Sequence, residues 1–129
     1  MIFLDTCALL WWTLAPKHLS DKAQRALDEA MEHKALFVSS ISFWEIGIKV
    51  QRRRLSIGCS IEEYSRRVQS LKTLHVLDVT LSDWLQSLAL QWEHRDPADR
   101  VIVASAMART WPLVTKDAHM LAYYAQALW

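Results

Sequence analysis

The sequence predicts an α/β protein in which helices cover both faces of a parallel β-sheet. Short apolar runs recur along the chain, and longer segments with helical patterning separate them. This alternation is typical of parallel strands that are joined by helices. The chain has 129 residues, 52% of them apolar, and no repeat or low-complexity segment interrupts it. We therefore expect residues 1–129 to form a single domain with a substantial core.

The predicted strands are apolar runs that are too short to be helices. They span residues 1–5, 36–38, 74–77 and 113–115, and residues 128–129 are expected to add a short edge strand. Each of the first four ends where polar residues that favour turns or helix starts begin, and this change marks the expected end of the strand.

The predicted helices begin at residues that favour a helix start. Ser20 can cap a helix, and Thr80 with Asp83 has the pattern of a capping box. Asp96 and Pro97 indicate another start, because proline is favoured at the first helical position. The predicted helices span about 21–33, 40–54, 60–72 and 80–93, two more begin at 97 and 117, and the apolar segment 8–12 is also expected to be helical.

Composition restricts the class of protein. The formal net charge of +1 gives no general attraction to nucleic acid, so any such affinity has to be local. No apolar run reaches the roughly 18–20 residues of a membrane span, and the amino terminus does not have the pattern of a signal peptide. Cys7 and Cys59 lack the spacing of a zinc site, so we expect free thiols in the reducing cytoplasm, with Cys7 buried.

Four acidic residues stand where apolar runs give way to turns or helix starts: Asp5, Glu45, Asp99 and Asp117. If the runs are parallel strands, these carboxylates gather at the carboxyl edge of the sheet, where open α/β folds bind their ligands. Carboxylates that close repel one another unless protons or cations neutralise them. A hard divalent cation such as Mg²⁺ suits an oxygen-only set of ligands, and such ions act above all on phosphate esters.

Each of these acids also has a purely structural interpretation. Asp5 and Asp117 suit the N-cap of a helix. If Asp96 caps the helix at Pro97, the acid at position 99 can be the one that reaches back to the cap. Glu45 can form an ion pair with the lysine four residues on. The joint placement of the acids after successive strands is what favours a metal site.

Four motifs contain these acids and follow one another along the chain: IFLDT at 2–6, SFWEIGIK at 42–49, HRDPADR at 94–100 and TKD at 115–117. Together they resemble PIN-domain ribonucleases and, more narrowly, the VapC-type toxins of bacterial toxin–antitoxin pairs. The resemblance implies a three-layer α/β/α domain with a roughly five-stranded parallel sheet. It also implies RNA cleavage that depends on Mg²⁺ or Mn²⁺, a homodimer, and inhibition by a small cognate antitoxin.

The resemblance further implies roles for individual residues. The catalytic, metal-binding quartet maps onto the four acids, and supporting hydroxyl groups map onto Thr6, Ser42 and Thr115. The match to the run 94–100 favours Asp99 over Asp96, which is assigned to helix capping. With this set we expect a metal-bound hydroxide to attack phosphorus and leave a 5′-phosphate and a 3′-hydroxyl.

Basic residues near the quartet are candidates for RNA binding. They are Lys49, Arg52, Arg53, Arg54 and Arg100. The first four follow Glu45 on the same predicted helix, where they either contact phosphate or stabilise the carboxyl end of the helix. Arg100 either contacts phosphate or pairs with an acid of the site. His94 is expected to be a loop residue and not a general base.

Seven tryptophans are many for a chain of this length. We expect Trp44 and Trp111 to lie in the core. Trp11 and Trp12 lie in a predicted helix that is apolar on nearly all sides, which a thin three-layer domain cannot wholly bury. An exposed patch that binds a second subunit or an antitoxin helix is therefore the alternative to a core position for this pair.

Functions from other classes stay open. A catalytically inactive RNA- or protein-binding module would share the fold, and Mg²⁺-dependent activity would separate the two. A receiver-like signalling domain also places acids around Mg²⁺, but Asp78 is its only candidate phosphoacceptor. A haloacid-dehalogenase-like phosphatase would need an aspartate two residues after Asp5, where the chain has Cys7.

Overall fold

The computed structural model describes residues 1–129 and confirms the α/β class. Its centre is a five-stranded sheet in which every neighbouring pair of strands is parallel. The strands are β1 (Ile2–Leu4), β2 (Leu36–Ser39), β3 (Leu74–Leu77), β4 (Leu113–Val114) and β5 (Ala127–Leu128). Their order across the sheet is β3-β2-β1-β4-β5, so β1 lies in the middle.

Seven α-helices surround the sheet. They are α1 (Thr6–Leu14), α2 (Asp21–Glu32), α3 (Ile41–Gln51), α4 (Ile61–Gln69), α5 (Leu81–Ala89), α6 (Pro97–Arg109) and α7 (Ala118–Tyr123). The caps predicted from the sequence are confirmed. Ser20 caps α2, Asp96 caps α6, and Thr80 forms a complete capping box with Asp83 at the start of α5. None of the helices is both long and apolar enough to cross a membrane.

The central strand shows how the three layers are built. Successive side chains of a strand point to opposite faces of the sheet. Accordingly, Ile2 and Leu4 pack into a core of 16 buried residues that also contains Leu9 and Leu27. Phe3 packs into a second core of 10 buried residues on the other face. Two separate apolar layers thus fix the sheet, and its carboxyl edge is held between them.

Several helices end earlier than the sequence predicted. The helix expected to reach residue 93 ends at Ala89, because Leu90 is extended and residues 90–96 have no regular structure. The helix expected to reach residue 54 ends at Gln51, since Arg53 has a left-handed backbone with φ of 55°. The helix expected at 60–72 ends at Gln69.

Two predictions about burial were wrong. Trp44 was expected in the core but is 58% exposed, because α3 buries Ile41 and Ile46 on its other side. Cys7 was expected to be buried but is exposed, as a free thiol at the start of α1. Trp111 does pack where expected, with its ring 4.4 Å from that of Phe37.

Candidate active site

The carboxyl end of the central strand delivers the first acid of the site. Asp5 directly follows β1 and caps α1, so that its Oδ1 accepts a hydrogen bond of 2.7 Å from the backbone N–H of Ala8. Its Oδ2 accepts a bond of 2.5 Å from the hydroxyl of Thr115. Asp5 is only 4% exposed. Both oxygens are therefore held in place, and the carboxylate cannot turn away from the sheet edge.

The neighbouring strand supplies the second acid. Leu4 of β1 is paired with Val114 of β4, so the residues that follow the two strands lie side by side. The Thr115 hydroxyl that donates to Asp5 also accepts a hydrogen bond of 3.0 Å from the backbone N–H of Asp117. Asp117 in turn caps α7. A single threonine thus ties the two acids together.

Glu45 and Asp99 come from helices α3 and α6. Carboxylate oxygens of Glu45, Asp96 and Asp99 lie within 4.8 Å of one another. On the same side, the hydroxyl of Thr6 donates a hydrogen bond of 3.0 Å to the hydroxyl of Ser42, which joins the starts of α1 and α3. These contacts bring α3 and α6 to the edge where β1 ends.

One hollow of about 460 Å³ unites the site. All four acids predicted from the sequence line it, together with Asp96, Lys49 and Lys116. Asp96 was assigned to helix capping, and it does accept the backbone N–H of Asp99 at 3.0 Å. Its carboxylate also belongs to the acidic cluster, so capping and membership of the site are combined. The same combination holds for Asp5 and Asp117, so the structural interpretation and the site interpretation do not exclude each other.

The electrostatics of the hollow are unfavourable in the absence of a cation. The pKa of Asp5 is raised to about 7, chiefly by burial and also by the nearby charges of Asp99 and Glu45, against the hydrogen bonds from Thr115 and Ala8. The pKa of Asp99 is likewise raised, to about 6, chiefly by burial and also by the charges of Asp96 and Glu45, against the hydrogen bond from His94. An oxygen-only donor set that resists ionisation in this way fits a hard divalent cation.

A family model of the PIN domain matches residues 2–126 of the chain. The chain belongs to the PIN-domain family. Over 117 aligned residues it is 31% identical to ribonuclease VapC22 of Mycobacterium tuberculosis. The alignment covers 90% of this chain and 86% of that protein. The resemblance stated from the four motifs is therefore confirmed.

Solved structures with under 20% sequence identity have the same fold as this PIN domain. A toxin–antitoxin complex from Klebsiella pneumoniae matches with a TM-score of 0.65 at 18% identity, over 100% of this chain and 97% of that chain. VapBC2 from Rickettsia felis, bound to a promoter DNA fragment, matches with a TM-score of 0.67 at 19% identity, over 95% of this chain and 93% of that chain. FitAcB from Neisseria gonorrhoeae matches with a TM-score of 0.60 at 19% identity, over 95% of this chain and 92% of that chain.

Basic residues of this PIN domain divide into two groups. Lys49 lines the acidic hollow, and Arg52 and Arg54 line an adjoining hollow of about 340 Å³ that Glu45 and Asp96 share. Arg53 is exposed at the end of α3. These four side chains therefore stay candidates for phosphate contact.

Arg100 was expected to contact phosphate or to pair with an acid of the site, but its guanidinium group binds the backbone instead. Its guanidinium group donates five hydrogen bonds to the backbone carbonyls of Ser87, Leu90, Trp92 and His94. A guanidinium group has five N–H donors, so none is left for a phosphate. Arg100 instead fixes the irregular segment between α5 and α6, and we remove it from the RNA-binding set.

Sequence reasoning missed two residues of the site. His94 was expected to be only a loop residue, but its Nε2 lies 2.6 Å from Oδ2 of Asp99. Lys116 lines the hollow and lies over the ring of Trp11, with 5.4 Å between Nζ and the ring centroid. Both stand inside motifs of the site, five residues before Asp99 and one before Asp117, and that proximity was the only signal in the sequence.

Proposed function

We propose that this PIN domain is a metal-dependent endoribonuclease and the toxin of a toxin–antitoxin pair that acts in the cytoplasm. The observation that carries the proposal is the convergence of four carboxylates, from four different segments, in one hollow where two of them resist ionisation. The similarity to a ribonuclease and the fold shared with toxin–antitoxin complexes support it.

The residues suggest how a cation would be held. Asp5 and Asp99 are the first choice as direct ligands, and Glu45 and Asp117 complete the set directly or through water, since Mg²⁺ keeps several waters. A bound Mg²⁺ or Mn²⁺ would activate water and neutralise charge on a phosphodiester. Thr115 orients Asp5 by its hydrogen bond. Thr6 and Ser42 brace the helix starts from which the ligands project.

RNA is the expected substrate because the chain is similar to a ribonuclease and cations border the hollow. Lys49, Arg52 and Arg54 lie on the side of Glu45, where they can contact phosphates on either side of the scissile bond. Such contacts position a strand without reading its sequence. We expect single-stranded RNA to be cleaved in preference to duplex, with a 5′-phosphate on the product.

A cleavage assay with matched variants tests the nuclease. Purified protein should cut a single-stranded RNA oligonucleotide in Mg²⁺ or Mn²⁺ and stop when a chelator is added. Asp99→Asn should abolish cleavage, whereas Asp96→Asn should reduce it less, because its principal role is the cap of α6. Equal cleavage by wild type and Asp99→Asn would refute the mechanism, and a folded, inactive wild type would favour the alternative of a binding module.

We propose that the antitoxin binds an apolar groove beside the site. The groove has a volume of about 440 Å³, lies between α1 and α4, and includes Trp12, Tyr64 and Val68 in its lining. Trp11, the preceding residue, lines the acidic hollow. An amphipathic antitoxin helix seated in the groove could therefore extend an arginine to the carboxylates as a charge-assisted plug.

Growth and binding assays test this partner. Expression of the protein alone should arrest growth, and co-expression of its cognate antitoxin should relieve the arrest. Trp12→Ala should weaken the complex more than it weakens cleavage. A wild-type protein that is harmless at high level and binds no antitoxin would end the toxin proposal while leaving the nuclease proposal intact.

We propose a homodimer through the outer face of α5. Leu81, Leu85 and Leu88 on this face are 73%, 57% and 77% exposed. Trp84 of α5 and Trp44 of α3, 44% and 58% exposed, border a hollow of about 510 Å³ on the same side. Protruding leucines next to a hollow form a surface that can pack against its own copy. Together these side chains offer several hundred Å², towards the roughly 800 Å² per partner of a stable interface.

Light scattering after gel filtration tests the dimer. Wild type should elute as a dimer, and Leu85→Lys should convert it to a monomer. Leu121→Lys, at a 37% exposed leucine on α7, is the control and should leave the dimer unchanged. A monomeric wild type at micromolar concentration would refute this part of the proposal.

A further inference from the structure

One acid of the site is held by a histidine. Nε2 of His94 lies 2.6 Å from Oδ2 of Asp99, and both side chains are 19% exposed. An ionised carboxylate can only accept hydrogen bonds, so Nε2 is the donor. The bond occupies one oxygen of Asp99 and leaves the other for a cation.

The ring of His94 is itself held by aromatic stacking. It stacks on Trp92, with ring centroids 4.5 Å apart and planes inclined by 20°. Trp92 stacks on Tyr123 in turn, at 4.8 Å and 10°. Tyr123 is the last residue of α7, the helix that Asp117 caps. The stack therefore connects the helix that Asp117 caps to the carboxylate of Asp99.

The backbone of the same segment is fixed from a second direction. Residues 90–96 form neither helix nor strand. Arg100 binds the carbonyls of Leu90, Trp92 and His94 within this segment, and Arg100 directly follows Asp99 on α6. The position of the imidazole is thus determined both through its ring and through its backbone, which a loop residue with no further role would not need.

We propose that His94 is a positioning residue that sets the orientation of Asp99 for cation binding. This inference rests on the proposed role of Asp99 as a metal ligand. A hydrogen bond from outside the ligand shell fixes the orientation of the ligand in advance, so the cation binds without first ordering the carboxylate. The stack of Tyr123, Trp92 and His94 extends this support to the helix that carries Asp117.

Two variants separate the hydrogen bond from the stacking. His94→Phe keeps a ring against Trp92 but has no donor for Asp99. His94→Gln loses the ring but carries an amide nitrogen where Nε2 lies. His119→Ala is the matched control, because the His119 ring lies 5.3 Å from that of His94 and is exposed, yet it makes no hydrogen bond to Asp99.

The measurement is the dissociation constant of Mn²⁺ on the metal-free protein by titration calorimetry, with the melting temperature alongside. His94→Phe should weaken Mn²⁺ binding by about tenfold or more, the usual effect of losing such a support. His94→Gln should recover most of the affinity even if its melting temperature falls, and His119→Ala should bind as wild type does.

Failure of the positioning role of His94 can be distinguished from failure of the proposed metal-dependent function. If wild type binds no Mn²⁺, the proposed metal-dependent function fails first. If wild type binds Mn²⁺ and His94→Phe binds it equally well, the positioning role of His94 is overturned. It is also overturned if His94→Gln loses as much affinity as His94→Phe, because restoring a hydrogen-bond donor would then not restore cation binding.

Discussion

Asp5 and Asp83 are both almost fully buried acids at the start of a helix, and each is only 4% exposed. Their ionisation is nevertheless affected in opposite directions. Burial raises the pKa of Asp5 to about 7. Burial acts on Asp83 in the same sense, but the hydrogen bonds from Thr80 and Ser105 and the charge of Arg109 outweigh it and lower the pKa of Asp83 below its usual value.

The surroundings of Asp83 explain its behaviour. Its Oδ2 accepts two hydrogen bonds of 2.9 Å, from the backbone N–H and the hydroxyl of Thr80. Its Oδ1 accepts one from the hydroxyl of Ser105, and Nη1 of Arg109 lies 3.5 Å away. The chain itself satisfies this charge. Asp83 therefore has a structural role, because its contacts with Ser105 and Arg109 join α5 to α6.

Asp5 lacks such complete support. It has two donors, from Ala8 and Thr115, and it faces the like charges of Asp99 and Glu45 with no cation of the chain bonded to it. Burial alone therefore does not mark a functional acid. What marks it is a buried carboxylate whose charge the chain leaves partly uncompensated, so that an external cation can bind there.

Replacing each acid by its amide tests this contrast most strongly through activity. Asp5→Asn should lower Mn²⁺-dependent cleavage of single-stranded RNA by on the order of a hundredfold or more, the effect usual for loss of a group that supports a charged transition state. At a temperature of about 20–25 °C, Asp83→Asn should cleave the same RNA at nearly the wild-type rate per folded molecule. Loss of activity in both variants, with both folded, would contradict the division into a functional and a structural acid.

Binding of the cation should stabilise the protein only where the functional acid is intact. A ligand at 100 times its dissociation constant stabilises a folded protein by about 2.7 kcal/mol. We therefore expect Mn²⁺ to raise the melting temperature of wild type and of Asp83→Asn, and to leave that of Asp5→Asn nearly unchanged. Thermal unfolding followed by circular dichroism, with and without chelator, is the measurement. An equal rise in Asp5→Asn would mean that the ion binds elsewhere.

Stability in metal-free buffer should show the reverse contrast. Asp83→Asn should lower the free energy of unfolding by about 1–3 kcal/mol, because its amide nitrogen would face N–H and O–H donors that cannot all turn away. Asp5→Asn should not be less stable than wild type, since it removes a repelled charge and the Thr115 hydroxyl can accept a bond from the new amide. Urea unfolding measures both values, and a larger loss for Asp5→Asn would reverse our assignment.

Local patterns made much of this fold predictable. Short apolar runs identified all five strands, and the residues Ser20, Thr80 and Asp96 identified helix starts, because strand periodicity and capping depend on neighbours in sequence. The meeting of two of the four acids was predictable for a related reason. Parallel strands end at one edge of the sheet, so Asp5 and Asp117, which follow β1 and β4, meet there. Glu45 and Asp99 reach the same edge through the packing of α3 and α6.

Features that depend on contacts between distant segments were not predictable in this way. The five hydrogen bonds of Arg100 require the exact course of residues 90–96, which no local pattern specifies. The same segment carries His94 to Asp99. Trp44 was misassigned because its exposure depends on which side of α3 meets the sheet. The restriction to RNA and the antitoxin came only from the family resemblance, whereas the oxygen-only set of acids had already indicated a hard divalent cation.

The smallest expected effect is the pH dependence of the structural acid. The native pKa of Asp83 lies below its usual value of 3.8, so the native state holds fewer protons on this group than the unfolded state does near that pH. Its stabilising contribution is therefore complete above pH 3.8 and is lost as the pH falls through the native pKa. The difference in free energy of unfolding between wild type and Asp83→Asn should be equal at pH 7 and pH 5 and should shrink as the pH is lowered below 3.8.

Urea unfolding of the two proteins at matched pH values measures the difference. A gap that persists undiminished in acid would mean that the hydrogen bonds of Thr80 and Ser105 do not depend on the charge of Asp83, and the contrast with Asp5 would then rest on burial and repulsion at the sheet edge alone.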